Sequence, residues 1–395
     1  MTLRFLVKNN SMSSIQILRN TSLLFLLVFW IPLASAGNIL IPPAPSIAAS
    51  SYLLMDFDSN KVLAEKNADK RLPPASLTKL MTVYVVFREL ANGHLSLDEK
   101  VTISKKAWRT PGSRMFVEVN KQVSIEDLLK GVIIQSGNDA SVALAEHVAG
   151  NEATFAVLMN QHAERLGMTN SHFVNSTGLP AENHYTTARD LAILAQAIIK
   201  EFPEYYKWDS QKEFTYNNIT QHNRNKLLWR DKSVDGLKTG HTEEAGYCLV
   251  ASAKRNGMRL ISVVMGTASE NARANESQAL LNYGFRFFET HKLYEANKPI
   301  VDTRVWKGDR KQLSLGLNED LFVTIPRRYA NDLKAETVVD KRIIAPVKKG
   351  EERGLLNVSL MDEKIVSKPL VALDEVNKGS FFQRIYDEAL LLLDR

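Results

Sequence analysis

The sequence contains little cysteine and little excess charge, and each shortage excludes a class of protein. A single cysteine, Cys248, among 395 residues cannot form an internal disulfide, which excludes a disulfide-stapled scaffold. Cys248 lies in the predicted strand 247–252, where we expect a small buried apolar side chain. The 50 basic residues nearly balance the 44 acidic residues, which argues against nucleic-acid binding.

A membrane-spanning apolar run is missing near the start of the chain, because residues 23–33 fall short of the roughly 20 residues that a bilayer needs. Three basic residues and no acidic residue precede this run: Arg4, Lys8 and Arg19. Ala34-Ser35-Ala36 follows it, so the pattern predicts a secretory signal peptide over residues 1–36, with an uncleaved anchor as the alternative. Its removal leaves 47 basic against 44 acidic residues, because three of the 50 basic residues lie in it.

Motifs for bound cofactors are missing as well. The eight histidines show no metal-ligand spacing, and no segment resembles a phosphate-binding loop. We therefore expect no cofactor and no metal.

Three short polar motifs are present, far apart along the chain: Ser76-Leu77-Thr78-Lys79, Ser136-Gly137-Asn138 and Lys238-Thr239-Gly240. The first spacing places Ser76 and Lys79 on one helix face, with Cβ atoms about 5–6 Å apart, so the amine can take the hydroxyl proton without a histidine. Alone, each motif is ordinary: an exposed helix pair, a loop or a strand segment. In this order, S-x-x-K with K-T-G is a signature of penicillin-recognising enzymes. A Ser-His-Asp triad with His241 is disfavoured, because Ser76 lacks the G-x-S-x-G frame.

The residues around the first two motifs predict where their serines lie. A pair of prolines precedes Ser76 and favours a helix start, which places Ser76 in the first turn of a helix over residues 76–92. Free N–H groups and the helix dipole stabilise negative charge at such a turn. A second predicted helix, residues 124–135, opens with capping-box spacing, so Ser136 should lie in the loop after it.

On these motifs the chain resembles the low-molecular-mass penicillin-binding proteins that are serine-type D-alanyl-D-alanine carboxypeptidases, the penicillin-binding protein 5 and 6 group of peptidase family S11. The resemblance covers nearly the whole chain and includes further segments: His241-Thr242, Ala245-Gly246-Tyr247, Thr187-Ala188-Arg189-Asp190 and residues 285–290. Gly137 stands where the common β-lactamases carry aspartate, and no convincing E-x-x-x-N segment lies between Ser136 and Lys238. The chain is therefore more similar to the carboxypeptidases.

The resemblance implies an α/β catalytic domain of the penicillin-binding (β-lactamase/transpeptidase-like) type over residues 37–289, with an antiparallel sheet flanked by helices. Alternation and turn signals over residues 290–379 predict a small all-β C-terminal domain without catalytic residues, which we expect to act as a spacer. Its strands are predicted at residues 292–305, 312–317, 321–325, 335–344 and 355–360.

Residues 380–395 predict a terminal amphipathic helix. Its apolar face consists of Phe381, Phe382, Ile385, Tyr386, Ala389, Leu392 and Leu393. Three acidic residues outnumber two arginines, so the helix lacks the basic face that anionic lipids attract. Attachment to a membrane surface is favoured over docking on the protein. The resemblance implies an exported, periplasmic protein attached peripherally to the outer face of the inner membrane.

The motif residues receive catalytic roles. Ser76 is expected to be the acyl-ester nucleophile and Lys79 its general base, with a pKa lowered by burial and by the charge of Lys238. The resemblance implies an oxyanion site made by the backbone N–H groups of Ser76 and His241. It also implies that Ser136 relays a proton to the leaving D-alanine while Lys238 orients it.

Substrate recognition is assigned to the remaining residues. Asn138 is expected to hydrogen-bond the substrate backbone. By resemblance, Arg273 reads the terminal carboxylate, with help from Thr239 and Gly240 of the third motif and from Arg224. A planar guanidinium suits this task because it meets a carboxylate with two parallel hydrogen bonds. A solvated surface arginine is the alternative for Arg273.

The predicted reaction removes the terminal D-alanine from peptidoglycan stem peptides ending in D-Ala-D-Ala, through an acyl-enzyme, and β-lactam antibiotics inhibit it covalently. Three alternatives remain open: a β-lactamase, a D,D-endopeptidase of the same fold, and a non-catalytic penicillin-binding sensor. Turnover of penicillin would identify the first and cleavage of crosslinks the second. A sensor would keep its cellular function after Ser76→Ala.

Overall fold

The structure, a computed structural model, describes residues 41–361 and 363–393. The predicted signal peptide over residues 1–36 lies outside them. The strands up to residue 267 are β1 (Ser51–Asp56), β2 (Val62–Lys66), β3 (Lys100–Thr102), β4 (Gln122–Ser124), β5 (Glu213–Tyr216), β6 (Ile219–His222), β7 (Val234–Thr242), β8 (Gly246–Arg255) and β9 (Met258–Thr267). The helices of the same part are α1 (Lys79–Ala91), α2 (Lys105–Arg109), α3 (Ile125–Lys130), α4 (Asn138–Ala149), α5 (Glu152–Arg165), α6 (Ala188–Glu201), α7 (Pro203–Tyr206), α8 (Leu227–Arg230) and α9 (Glu270–Phe287).

Five of these strands form the central antiparallel sheet, in the order β2-β1-β9-β8-β7. Every residue of β1 is buried, because helices cover both faces of the sheet. Leu53 and Met55 belong to the core that contains α1 and α6, whereas Tyr52 and Leu54 belong to the core beneath α9. The predicted antiparallel sheet flanked by helices is confirmed, and Cys248 is buried in β8 as expected.

Helix α1 runs through the core and places the first motif at the edge of the sheet. Every residue from Lys79 to Phe87 is buried. The helix begins at Lys79, and Ser76 precedes it in the 3-10 turn Ala75–Thr78. The predicted helix over residues 76–92 therefore has a tighter first turn than an α-helix. This turn packs against β7, the end strand of the sheet.

The C-terminal part is built from strands, as predicted. Its elements are β10 (Phe288–Tyr294), β11 (Pro299–Trp306), β12 (Gln312–Gly316), β13 (Leu321–Pro326), β14 (Leu333–Val339), β15 (Ile343–Ile344), β16 (Glu352–Leu360), β17 (Glu363–Ala372) and α10 (Phe381–Leu393). β10 pairs with β13, and the remaining strands form a sheet in the order β14-β16-β17-β12-β11-β15.

Two strand predictions in this part were wrong in detail, and a third strand was not predicted. The predicted strand 292–305 is divided between β10 and β11, because the chain turns at Asn297, which has φ of 57°. The predicted strand 335–344 is likewise divided between β14 and β15. Strand β17 was not predicted, because its central Ser367-Lys368-Pro369 interrupts the apolar alternation.

Two side chains of helix α10 are buried, Asp387 and Leu391. Asp387, predicted to lie opposite the apolar face, is buried and accepts a hydrogen bond from the Lys307 N–H at 2.5 Å. Most of the predicted apolar face is exposed: Phe381, Phe382, Ile385, Tyr386, Leu392 and Leu393. Among the described residues, no helix combines the length and apolar character needed to cross a membrane.

Candidate active site

Ser76 and Lys79 are in direct contact. Lys79 is fully buried, and its Nζ lies 3.0 Å from Ser76 Oγ, 2.7 Å from Asn138 Oδ1 and 2.6 Å from the Thr177 carbonyl oxygen. A neutral amine has two hydrogens and one lone pair. Because Asn138 and Thr177 supply acceptors only, they take the two hydrogens and leave the lone pair directed at the Ser76 hydroxyl. The geometry therefore suits proton transfer from Ser76 to Lys79.

The surroundings of Lys79 favour its neutral form. Burial and, to a smaller extent, the positive charge of Arg224 together lower the pKa of Lys79 to about 7, although Asp139 opposes the shift. The expected lowering by burial is present, and Arg224 adds a cationic contribution that was not predicted. Burial, followed by the charges of Lys79, Arg224 and Arg273, also lowers the pKa of Lys238 well below its ordinary value.

Ser136 occupies a strained loop position next to these groups. Helix α3 continues as the π-helical turn Gly131–Gln135, and Ser136 follows it with φ of 69°, in the left-handed region. Its Oγ is buried and has no hydrogen-bond partner among the described residues. An unsatisfied buried hydroxyl is costly, so this atom is available to a substrate group or a transferred proton. Lys238, which was predicted to orient Ser136, donates from Nζ to the Thr239 carbonyl oxygen at 3.1 Å.

Asn138 holds the Lys79 amine from a buried position. It begins α4, and only 4% of it is exposed. Besides accepting from Lys79, its amide donates from Nδ2 to the Pro111 carbonyl oxygen at 2.6 Å. Both ends of the amide are therefore used within the protein. Asn138 therefore positions Lys79, and its hydrogen bond to a substrate backbone stays a prediction, because Nδ2 carries a second hydrogen.

An open pocket of about 420 Å³ lies above Ser76. Seven of the predicted site residues line it: Ser76, Ser136, Arg224, Thr239, Gly240, His241 and Arg273. The sequence interpretation missed four other lining residues: Gly112, Ser113, Tyr247 and Glu270. Lys79 and Lys238 are buried, and their amines lie beneath the pocket wall rather than in the open space.

Arg273 gives the pocket a fixed cation. It is only 4% exposed, and its Nη1 donates to the Gly240 carbonyl oxygen at 3.2 Å. The guanidinium also lies 5.6 Å from the centre of the Tyr247 ring. The ring of the exposed His241 lies 3.8 Å from the same tyrosine ring. The alternative of a solvated surface arginine is wrong, and the pocket presents buried positive charge to an anionic group.

The fold and the site define a class of protein in which a serine hydroxyl at the edge of the central sheet contacts the amine of a buried lysine. A family model described as D-alanyl-D-alanine carboxypeptidase, peptidase family S11, matches residues 39–269. A model of the penicillin-binding protein 5 C-terminal domain matches residues 288–378. The chain belongs to this D-alanyl-D-alanine carboxypeptidase family, which confirms the resemblance and the penicillin-binding fold with an all-β C-terminal domain.

Individual relatives agree with this assignment. The D-alanyl-D-alanine carboxypeptidase DacC of Escherichia coli is 48% identical over 356 residues, 88% of this chain and 89% of the relative. Penicillin-binding protein 5 from Haemophilus influenzae gives a TM-score of 0.83 at 45% identity and covers 86% of this chain and 100% of that chain. Penicillin-binding protein D2 from Listeria monocytogenes, in the ampicillin-bound form, gives a TM-score of 0.57 at 33% identity. The match covers 62% of this chain and 100% of that chain.

Proposed function

We propose that this chain removes the terminal D-alanine from peptidoglycan pentapeptides through an acyl-enzyme on Ser76, and that penicillins inhibit it by acylating the same oxygen. The observation that carries the proposal is the contact of Ser76 Oγ with the Nζ of Lys79, whose other two partners accept hydrogen bonds. A serine activated in this way attacks an amide carbonyl carbon.

During acylation the residues around the pocket act one after another. Lys79 takes the Ser76 proton while Oγ bonds to the carbonyl carbon of the penultimate D-alanine. Backbone N–H groups of Ser76 and His241 hold the resulting oxyanion. As the C–N bond breaks, the Ser136 hydroxyl passes its proton to the nitrogen of the leaving D-alanine and takes a proton from the Lys79 ammonium, which returns Lys79 to its neutral form. Water then hydrolyses the Ser76 ester.

Substrate recognition uses the third motif and the cationic residues. β7 ends the central sheet, so its outer edge is available to pair with an extended peptide. Arg273 and Arg224 line the pocket beside Thr239 and Gly240 and bind the free terminal carboxylate. A substrate whose terminal carboxylate is blocked should therefore react poorly.

We also propose where the protein lies in the cell. The predicted signal peptide directs export to the periplasm, and the exposed apolar face of α10 binds the outer surface of the inner membrane. The support is that α10 buries Asp387 and Leu391 and leaves most of its aromatic and aliphatic side chains in solvent. Residues 290–379 would then hold the active site away from the membrane.

D-Alanine release from diacetyl-Lys-D-Ala-D-Ala tests the proposed reaction. The wild-type protein should release D-alanine, penicillin should block the release, and Ser76→Ala should abolish it. A crosslinked muropeptide dimer is assayed beside the pentapeptide. Cleavage of the dimer alone would replace the proposal with an endopeptidase, and rapid penicillin turnover would replace it with a β-lactamase. Covalent penicillin binding without any hydrolysis would favour the sensor.

A further inference from the structure

A second cavity, of about 310 Å³, adjoins the nucleophile and has no part in the reaction described above. Three segments surround it: residues 71–75, which lead into Ser76, the loop 178–185, and the end of β7 with the turn after it, represented by Thr242 and Glu244. The cavity therefore begins one residue away from the atom that becomes acylated.

The register along β7 places this cavity on the acyl side of the scissile bond. Thr239, Gly240 and His241 line the active-site pocket, whereas Thr242 and Glu244 line the second cavity. A strand advances roughly 3.3 Å per residue, so the two spaces follow one another along the same edge. On the proposed function, the terminal carboxylate lies at Arg273, beside Gly240. The residues that precede the scissile bond then extend toward the second cavity.

The walls of the cavity are held by internal hydrogen bonds. Asn175 Oδ1 accepts from the N–H groups of Thr177 and Gly178, at 3.1 and 2.7 Å. His184 Nδ1 accepts from the Val174 N–H at 3.1 Å, so its Nε2 carries the hydrogen toward Thr78 Oγ1 at 2.8 Å. Burial lowers the pKa of His184 to about 4, so this wall carries no histidine charge at neutral pH.

The charged side chains that line the cavity differ in whether other residues already bind them. Arg71 is engaged: its guanidinium donates to Asn170 Oδ1 and lies 4.7 Å from the centre of the Tyr185 ring. Glu182 and Glu244 are exposed, and neither makes an ion pair or a side-chain hydrogen bond with the described residues. Two carboxylates without partners therefore face the space that receives the acyl part of the substrate.

We propose that this cavity binds the side-chain ammonium of the residue that precedes D-Ala-D-Ala, and that Glu182 and Glu244 select a diamino acid at that position. The inference rests on the proposed function for the direction of the peptide. The chemical class recognised is an aliphatic side chain that ends in a primary amine. A neutral side chain of the same length fills the cavity but leaves the carboxylates of Glu182 and Glu244 without a cation.

The test compares two acyl-tripeptides that differ in one group, Nα-acetyl-Lys-D-Ala-D-Ala and the diacetyl-Lys peptide. Exposed ion pairs are individually weak, so we expect the wild-type kcat/KM to favour the free amine by about three- to tenfold at low salt. The preference should shrink at high salt. The double variant Glu182→Gln/Glu244→Gln should remove it, whereas Glu243→Gln, an exposed neighbour that does not line the cavity, should retain it.

Binding of both peptides to Ser76→Ala, measured by calorimetry, separates failure of this inference from failure of the proposed function. Tighter binding of the free amine that is lost in the double glutamine variant supports the subsite even if the wild-type protein hydrolyses neither peptide. Equal affinities and equal kcat/KM values would overturn the subsite and leave the carboxypeptidase reaction intact. An equal preference in wild-type and double-variant proteins would also overturn it.

Discussion

The rate at which a β-lactam acylates Ser76 should depend on the protonation of Lys79. The amine accepts the Ser76 proton only when it is neutral, and burial with the nearby Arg224 lowers its pKa from 10.5 to about 7. At pH 7 about half of the molecules then hold a neutral Lys79, against roughly 0.03% for an unperturbed lysine. The protein environment therefore raises the fraction of neutral Lys79 at pH 7 roughly a thousandfold above that of an unperturbed lysine.

The sign and size of the pH effect follow from this value. Protonation removes the base, so the second-order acylation rate should fall as pH decreases through 7. Between pH 8 and pH 5 the neutral fraction falls roughly 90-fold, with a slope near tenfold per pH unit at the acidic end. Above pH 8 the rate should be nearly constant with respect to this group.

A fluorescent penicillin and stopped-flow detection measure this rate, and circular dichroism checks that the protein stays folded at each pH. Lys79→Arg serves as the control, because its guanidinium remains charged throughout the range and should lose acylation at least about a thousandfold. A rate that does not change between pH 5 and 8, or an inflection close to 10.5, would refute Lys79 as the base with a lowered pKa.

Other contacts give predictions that are tested separately. Arg273→Gln should lower kcat/KM for a D-Ala-D-Ala peptide about 10- to 100-fold, because charge-assisted hydrogen bonds contribute roughly 1.5–3 kcal/mol; the C-terminal amide of the same peptide should react equally slowly with both proteins. Gly178→Ala should destabilise the protein by about 2–4 kcal/mol, because φ is +81° and the new Cβ would meet the Ala75 carbonyl oxygen; thermal unfolding measures this, and an unchanged Tm would contradict it. Deletion of residues 380–395 should release the exported protein from the membrane fraction at both low and high salt, and continued attachment of the truncated chain would contradict the role of α10.

The sequence was most informative where the chemistry depends on side-chain type at short spacing. The order of the motifs around Ser76, Ser136 and Lys238 predicted residues that the fold brings to one site. The periodicity of the C-terminal strands predicted an all-β part, but polar or turning positions such as Asn297 obscured some strand limits. Pairing between strands in the folded chain decides where each strand begins and ends, and a local sequence pattern carries no information about that pairing.

Other features of the site depend on the backbone and on distant contacts. The Thr177 carbonyl oxygen holds Lys79 at 2.6 Å, yet any residue carries such an oxygen, so the sequence gives no signal for it. The contact of Asn138 with Lys79 and with Pro111, which is 27 positions away, likewise leaves no signal in the local sequence. The cationic influence of Arg224 on Lys79 likewise appears only in the folded chain.

The central claim is that a substrate peptide forms an ester on Ser76. Rapid chemical quenching of the protein with a D-Ala-D-Ala peptide, followed by tryptic digestion and mass spectrometry, tests it directly. Residues 72–79 form a tryptic peptide with a single serine, and Ser113, which lines the same pocket, lies in another. The acyl mass should appear on peptide 72–79 in wild-type and Ser113→Ala proteins and should be absent in Ser76→Ala. An acyl group on any other peptide, or D-alanine release by Ser76→Ala, would contradict it.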